Sequence, residues 1–333
     1  MPVRGRTDRL TAGILGVGSY LPRDILSNHD LEQTIDTTDE WIFARTGMRN
    51  RRIAAADEAT SDLAAAAARA ALLDAGLEPG EIDLILVATV TSDHVCPSTA
   101  AIVQHRIGAI HAAGFDIAAG CTGFVNALST ARQFIVSGAY RHVLVVGAEK
   151  LSSILDYRDR ETCVLFGDGA GAAVLGPEAG GAILDCQLGM DGSNAETISV
   201  PAGGSRQPAS AATVAERRHF VRLEGRKVFR FAVAKFCSEI EGLARRNRIE
   251  VRDIDWIVPH QANQRIIEAA AERLGYPMAK IVSNVEHYGN TSSASIPIAM
   301  AEAKRDGRIR PGQLVATVAF GSGLTWGSAL LRW

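Results

Sequence analysis

Nucleophilic chemistry has its best candidate in Cys121. The residue lies in Asp116-Ile-Ala-Ala-Gly-Cys-Thr-Gly-Phe124, where a short apolar stretch of extended character, 115–119, gives way to a helix pattern. Phe124, Val125, Leu128, Ala131, Phe134 and Ile135 recur at helical spacing until Gly138 stops the run. A thiol on the first turn of a helix faces the positive end of the macrodipole and unpaired N–H groups. Both favour the thiolate and predict a pKa below the free value of about 8.5. Gly120 and Gly123 would let a substrate backbone come close. The competing reading is an inert, buried structural cysteine.

Three segments of the second half set polar side chains beside permissive backbone. Val258-Pro-His-Gln-Ala-Asn263 puts His260 just past an apolar strand pattern, at the C-terminal end where open α/β sheets hold their sites. His287-Tyr-Gly-Asn-Thr-Ser-Ser293 puts Asn290 after a glycine and before a helix pattern, and Ala319-Phe-Gly-Ser-Gly323 offers N–H groups on a tight turn. Singly, His260 also reads as a hydrogen-bonded structural histidine and Asn290 as a cap or turn residue. His287 rivals His260 as a base by proximity, but its place inside a turn suits a solvent-facing role.

The chain that must position these residues has 333 residues, 47% hydrophobic and 22% charged, the profile of a folded globular protein with a large core. A net charge of −2 excludes a globally basic nucleic-acid binder. Cys96, Cys121, Cys163, Cys186 and Cys237 are odd in number and scattered, without a C-x-x-C pair. That argues for a reducing compartment, and against a disulfide framework or a zinc site. His94 and Cys96 make a poor metal pair without further ligands. The N-terminal Met-Pro-Val-Arg-Gly-Arg-Thr-Asp-Arg is polar and no apolar run would span a bilayer, so the expected location is the cytoplasm, away from membranes. The sequon Asn290-Thr-Ser292 is then a coincidence.

Strand-like runs at 82–90, 143–147, 172–175, 254–258 and 314–319 alternate with helical patterns, including an alanine-rich helix at 61–77, and indicate an α/β protein. The pattern repeats: Glu81-Ile-Asp-Leu-Ile85 returns 172 residues later as Asp253-Ile-Asp-Trp-Ile257. Each copy is followed by a helix ending in an apolar residue and glycine, Ile107-Gly108 or Leu274-Gly275, then a strand, a turn, a helix and a buried strand. Cys121 occupies the turn in one half and Asn290 in the other. Halves spanning 1–176 and 177–333 would bring both turns to a shared pseudo-twofold axis. The small, polar stretch 201–218 is expected to be a mobile surface loop. Gly167-Asp-Gly-Ala-Gly171 precedes a strand rather than a helix and Gly16-Val-Gly18 lacks a third glycine, so neither fits a nucleotide fingerprint. Those glycines read as permitting tight packing.

Taken together, these residues resemble the thiolase superfamily, and closely the β-ketoacyl-acyl carrier protein synthase III family. The matching segments are Thr38-Asp-Glu-Trp-Ile42 with Arg45-Thr-Gly47, the Cys121 turn, Phe166-Gly-Asp-Gly-Ala-Gly-Ala172, Pro259-His-Gln-Ala-Asn263, Gly289-Asn-Thr-Ser292 and Phe320-Gly-Ser-Gly-Leu-Thr-Trp-Gly327. The resemblance implies a duplicated αβαβα thiolase-like fold, a homodimer and a Cys121–His260–Asn290 catalytic set, with backbone N–H groups of Cys121 and Ser322 as the oxyanion hole. It implies decarboxylative condensation of an acyl-CoA with malonyl-acyl carrier protein, with the coenzyme A thioester as substrate and no cofactor or metal. Ser322 stands where reversible thiolases carry a second cysteine, and Asn290 where chain-elongating synthases carry a second histidine. Type III polyketide synthases share Cys–His–Asn, but the Trp41–Arg45 segment looks like synthase III. An acyltransferase of secondary metabolism, using an amine or alcohol nucleophile, is the alternative.

For substrate entry the resemblance implies Trp41 stacking on adenine, Arg45 and Arg160 near the phosphates, Asn263 on the pantetheine arm and Phe320 among the substrate-binding residues. Arg230 and Arg265, with Arg226 and Lys227, would form a basic rim for an acidic carrier protein, although Arg226 and Lys227 read better as a solvated charged face. The residue at Cys96, before Pro-Ser, would cross the dimer interface and close the far end of the partner's acyl pocket. Acetyl-primed relatives often carry Phe there, so cysteine predicts a deeper pocket that admits branched or longer acyl groups.

Overall fold

The computed structural model describes residues 11–177 and 180–333, so the polar N-terminal nonapeptide lies outside the described residues. The chain opens with β1 (Gly13–Tyr20), followed by α1 (Asp39–Thr46), α2 (Thr60–Ala75), β2 (Leu84–Ala88) and α3 (Thr99–Ile107). Next come β3 (Ala113–Ile117), α4 (Gly123–Val136), β4 (Val143–Glu149) and β5 (Gly169–Gly176). These strands form one sheet in the order β1-β5-β4-β2-β3. The second set is β6 (Ala182–Met190), α5 (Gly225–Asn247), β7 (Trp256–Pro259), α6 (Gln264–Leu274), α7 (Ser295–Arg305), β8 (Leu314–Gly321) and β9 (Thr325–Arg332). Its sheet runs β7-β8-β9-β6.

The two sheets are copies in topology as well as in sequence. In each, the first strand pairs antiparallel with the last, the last pairs antiparallel with its predecessor, and that predecessor pairs parallel with β2 in the first sheet and with β7 in the second. The copies differ at one edge. β3 pairs parallel with β2 over five residues, whereas its expected counterpart in the second half is a single bridge, Ile281 to Ile257. Pro277 and a 3-10 turn over Met278–Lys280 occupy the chain just before that bridge and leave no room for a longer strand.

Three buried clusters give the layers. One joins α2 and α3 to the outer face of the first sheet through Leu63, Ala67, Ile85, Val87 and Val103. Another joins α5 and α6 to the second sheet through Phe236, Ile240, Ile267 and Val318. The central cluster holds Phe124 and Leu128 of α4 against Ile296 and Met300 of α7, with residues of both sheets around them. This is a helix–sheet–helix–sheet–helix stack, the duplicated thiolase-like arrangement.

Local sequence explains the elements that matter. Alanines give α2 high helix propensity, and its end is set by Gly76 at φ 66°. A side chain at Gly16 or Gly18 of β1 would collide with the backbone of α2, so these glycines serve strand–helix packing. Gly167 and Gly169 lead into β5 while Asp168 between them is buried, accepting from Ala54 N and Ser152 N, each at 2.8 Å. The stretch 201–218 corrects the expectation of a mobile loop. It contains a helical turn at Ala211–Ala215 capped by Ser210, buries Ala202 and Thr213, and is anchored by a bidentate Arg217–Asp156 pair.

Candidate active site

Cys121 sits on a 3-10 turn, Gly120–Thr122, that carries the chain from β3 into α4. Gly120 has φ +54°, and a side chain there would strike the Ser322 hydroxyl. Gly321 backs the same turn: a Cβ on it would lie 2.9 Å from both Cys121 Cβ and Cys121 N. Thr122 Oγ1 donates to Ala119 O at 2.7 Å, and Thr122 and Thr325 join their hydroxyls at 3.0 Å. Cys121 and the Gly321–Ser322 turn are thereby held as one unit across the two halves.

His260 follows β7, and its N–H continues the pairing with β8 by donating to Val318 O at 2.8 Å. The ring is buried at 1% exposure, edge-to-face with Phe320 at 5.6 Å between centroids. Its Nδ1 lies 2.7 Å from Ser295 Oγ, which also accepts the Gln261 N–H at 3.3 Å. Ser295 Oγ can donate its proton to Nδ1, and in that tautomer the ring proton sits on Nε2. Burial lowers the His260 pKa to about 3, so the imidazole is neutral.

Asn290 is strapped to the first half: its N–H donates to Leu165 O at 2.8 Å and its carbonyl accepts Gly167 N at 3.1 Å. Its Oδ1 accepts the Ser292 N–H at 2.8 Å, which leaves Nδ2 as the donor for the cavity. Two neutral donors therefore share one space with a thiol from the other half.

That space is a cavity of about 1330 Å³ lined by Cys121, His260, Asn290, Phe320 and Gly321. Trp41, Arg45, Arg160, Asn263, Arg226, Lys227, Arg230 and Arg265 border it too. The Arg45 and Arg160 guanidiniums lie 4.3 Å and 5.0 Å from the Trp41 ring centroid, a cation–aromatic cluster suited to a planar anionic ligand. Asn263 caps α6 by accepting Arg265 N at 2.9 Å and donates to Arg45 O at 3.1 Å, tying the two segments together. Arg226, Lys227 and Arg230 stand in the first turns of α5, where the helix dipole adds to their positive potential.

One expectation changes. Cys121 is partly accessible, yet its surroundings are dry enough that burial pushes the thiol up to about 11, against a weaker downward pull from Ser292. Cys96 does not join this cavity; it is exposed, on the loop between β2 and α3. The reading from sequence passed over Ser295, Ser292 and Glu149, the side chains that hold His260 and the Asn290 turn. Only Glu149 left a signal, as a charged residue closing an apolar strand. Among the described residues no cluster of three or more His, Cys, Asp or Glu could hold a metal ion, and no helix is long and apolar enough to cross a membrane.

Comparison with known proteins places this geometry. The profile of 3-oxoacyl-[acyl-carrier-protein] synthase III matches residues 115–192, and that of its C-terminal portion matches residues 244–333. The β-ketoacyl-[acyl-carrier-protein] synthase III of Caldanaerobacter subterraneus subsp. tengcongensis is 53% identical, over 98% of this chain and 99% of its own. The crystal structure of 3-oxoacyl-[acyl-carrier-protein] synthase III from Aquifex aeolicus VF5 matches with a TM-score of 0.89 at 43% identity, covering 97% of this chain and 100% of that one. The priming β-ketosynthase of the R1128 polyketide biosynthetic pathway has the same TM-score at 39% identity, over 99% of this chain and 98% of its own.

Proposed function

Because this chain belongs to the β-ketoacyl-[acyl-carrier-protein] synthase III family of condensing acyltransferases, we propose that Cys121, His260 and Asn290 carry the condensation that initiates fatty-acid synthesis. The observation behind this assignment is the single cavity in which a thiol and two neutral donors meet, with Trp41, Arg45 and Arg160 at its border. The substrates are an acyl-CoA and malonyl-acyl carrier protein.

In the first step Cys121 attacks the thioester carbonyl. The N–H groups of Cys121 and Ser322 receive the oxyanion, each such donor being worth roughly 2.7–4 kcal/mol. The C–S bond to coenzyme A breaks, and the proton lost by Cys121 leaves on the coenzyme A thiol. In the second step the malonyl carboxylate departs as CO₂, and its electron pair becomes an enolate whose oxygen accepts from His260 Nε2–H and Asn290 Nδ2. Neutral donors suit that role, because a cationic imidazolium would compete for the incoming carboxylate. The carbanion attacks the acyl-enzyme, the C–S bond to Cys121 breaks, and the released thiolate takes up one proton from solvent.

The coenzyme A adenine stacks at Trp41, its phosphates meet Arg45 and Arg160, and the pantetheine passes Asn263 and Phe320. Arg230 and Arg265 dock the carrier protein. The enzyme works as a homodimer in the cytoplasm, its halves dividing at 176/177. Support for the dimer comes from β3, an open sheet edge with Phe115 41% exposed, and from Val95 and Ile110 at 100% and 72% exposure. The five free cysteines suit a reducing compartment. The division at 176/177 fits strands of one sheet ending at Gly176 and of the next starting at Ala182. Relatives at about half identity over the full length do not favour the secondary-metabolic alternative. Acyl-CoA competition with malonyl-carrier protein as acceptor, products resolved by mass, tests the assignment. Transfer to an amine or alcohol without CO₂ release would overturn it.

A further inference from the structure

Glu149 closes β4, a strand buried along its whole length, and its own side chain has no solvent exposure. Its hydrogen-bond partners are all uncharged. Oε2 accepts from Thr91 Oγ1 at 2.8 Å, Val90 N at 3.1 Å and Thr89 Oγ1 at 3.3 Å. Oε1 lies 3.1 Å from Ser292 Oγ and 2.9 Å from Ser293 Oγ. The adjacent Lys150 turns away, donating to Ala55 O at 2.8 Å and to Glu58 O. The titratable group that faces the cluster is Cys121, whose thiol Ser292 pulls down and a charge on Glu149 pushes up. Burial raises the Glu149 pKa, as expected for a carboxyl group without a cation.

The protons around Ser293 point the same way. Ser293 Oγ is 2.8 Å from Ala88 O as well as 2.9 Å from Glu149 Oε1. Ser293 has one hydroxyl proton and two acceptors within reach, and a protonated Glu149 carboxyl would resolve this by donating to Ser293 Oγ while Ser293 donates to Ala88 O. Ser292 holds a left-handed backbone, φ +49°, and its N–H fixes the Asn290 amide. Glu149 thus reaches from the first sheet to the turn that aims Asn290.

We propose that Glu149 is a positioning residue that works as an uncharged carboxylic acid, holding the Asn290–Ser293 turn against the Cys121 turn without setting a negative charge beside the nucleophile. A carboxylate one hydroxyl away from Cys121 would oppose the charge that develops on sulfur during attack. The neutral acid supplies the same contacts and one extra proton. This rests on the roles assigned above to Cys121 and Asn290.

The test uses Glu149→Ala, Glu149→Gln and the wild-type enzyme. Glu149→Ala lowers kcat for condensation by about tenfold to a hundredfold, the scale of ångström-level misplacement, with KM for acyl-CoA little changed. Glu149→Gln, the neutral isostere, restores most of that loss at neutral pH. The infrared difference spectrum of wild type minus Glu149→Gln at neutral pH shows a protonated carboxyl band. An ionised-carboxylate band at neutral pH would overturn the neutral acid. Wild-type kcat in Glu149→Ala would overturn the positioning role. If the alanine variant does not fold, the infrared band and the glutamine variant still decide. Failure of wild-type Cys121 to acylate, read by intact mass, would instead strike the covalent mechanism.

Discussion

The turn after β3 and the turn before α7 occupy equivalent places in the two halves, yet one carries Cys121 and the other Asn290. The loops after β2 and β7 are equivalent as well. The second sends His260 inward at 1% exposure, whereas the first carries Cys96 to the surface beside a fully exposed Val95. The first half therefore contributes one chemical turn to the cavity and the second contributes three, those of His260, Asn290 and Gly321–Ser322. Duplication supplied four strand-end positions around one axis, and divergence gave each its own part. In the proposed mechanism Cys121 forms the covalent bond and His260 and Asn290 hold the enolate, while the Cys96 loop faces outward. A nucleophile needs a helix start and a backing turn. A pair of neutral donors needs burial and rigid hydrogen bonding.

The comparison breaks most sharply at the nucleophile. Cys121→Ser should lower condensation by at least about 10³-fold and abolish the acyl mass on the protein, since loss of a covalent nucleophile in other enzymes costs up to ~10⁶ in kcat. Intact-mass analysis after mixing with acyl-CoA reads it directly. Substantial acyl transfer by the serine variant would end the covalent assignment.

On the other side of the axis the effect divides. His260→Ala and Asn290→Ala should still acylate to some extent but lose about 10²–10³-fold in release of CO₂ from malonyl-thioester, the usual range for an oxyanion donor. Both serve one oxygen, so the double variant should lose less than the product of the single losses. Normal CO₂ release in either single variant would move that residue out of the enolate site.

Much of this division is legible in the chain itself. The Cys121 turn, the His260 strand end and the Asn290 turn stand out because glycine or proline beside a polar residue marks a functional turn, and the repeat orders them. Ser295 and Glu149 do not stand out, because their partners lie 35 and 143 residues away in sequence, at His260 and Ser292. The Cys121 pKa is hidden for a related reason. The helix start is local and readable, but the burial that overrides it comes from the whole cavity. The missing fifth strand of the second sheet and the ordered 201–218 stretch likewise depend on long-range packing.

pH separates the halves next. With the thiol pushed up to about 11, Cys121 of the unliganded enzyme should be alkylated by iodoacetamide at pH 7 roughly a hundredfold more slowly than an ordinary cysteine, rising with pH toward 11. His260 has a folded pKa of about 3, below its unfolded value of about 6.5. Only the unfolded chain is protonated there between those values. Its share of stability is therefore full above about pH 6.5 and is lost as pH falls toward 3. CO₂ release should accordingly show no acid limb near pH 6.5. Rapid alkylation at pH 7, or such a limb, would reverse the assignment of neutral resting states.

The smallest expected effect concerns the fourth position. Cys96 is exposed in its own chain and lies outside its own cavity, as a residue would that acts on a partner subunit. By the family resemblance, the loop after β2 would reach the far end of the partner's acyl pocket, at a position where that resemblance implies Phe in acetyl-primed enzymes. Cysteine occupies far less space, so the pocket should accept branched or longer primers. Each further buried methylene contributes about 0.8 kcal/mol, nearly a fourfold preference, until the space is filled. Cys96→Phe should therefore shift primer preference toward acetyl-CoA while Cys121 acylation stays intact. Competition among two-, four- and five-carbon acyl-CoAs measures it. If the wild-type enzyme already prefers acetyl-CoA, neighbouring side chains have refilled the space and this loop does not gate the primer. If Cys96→Phe alters acetyl and longer primers equally, the loop acts on dimer assembly, and the outward turn of the first half has no share in substrate choice.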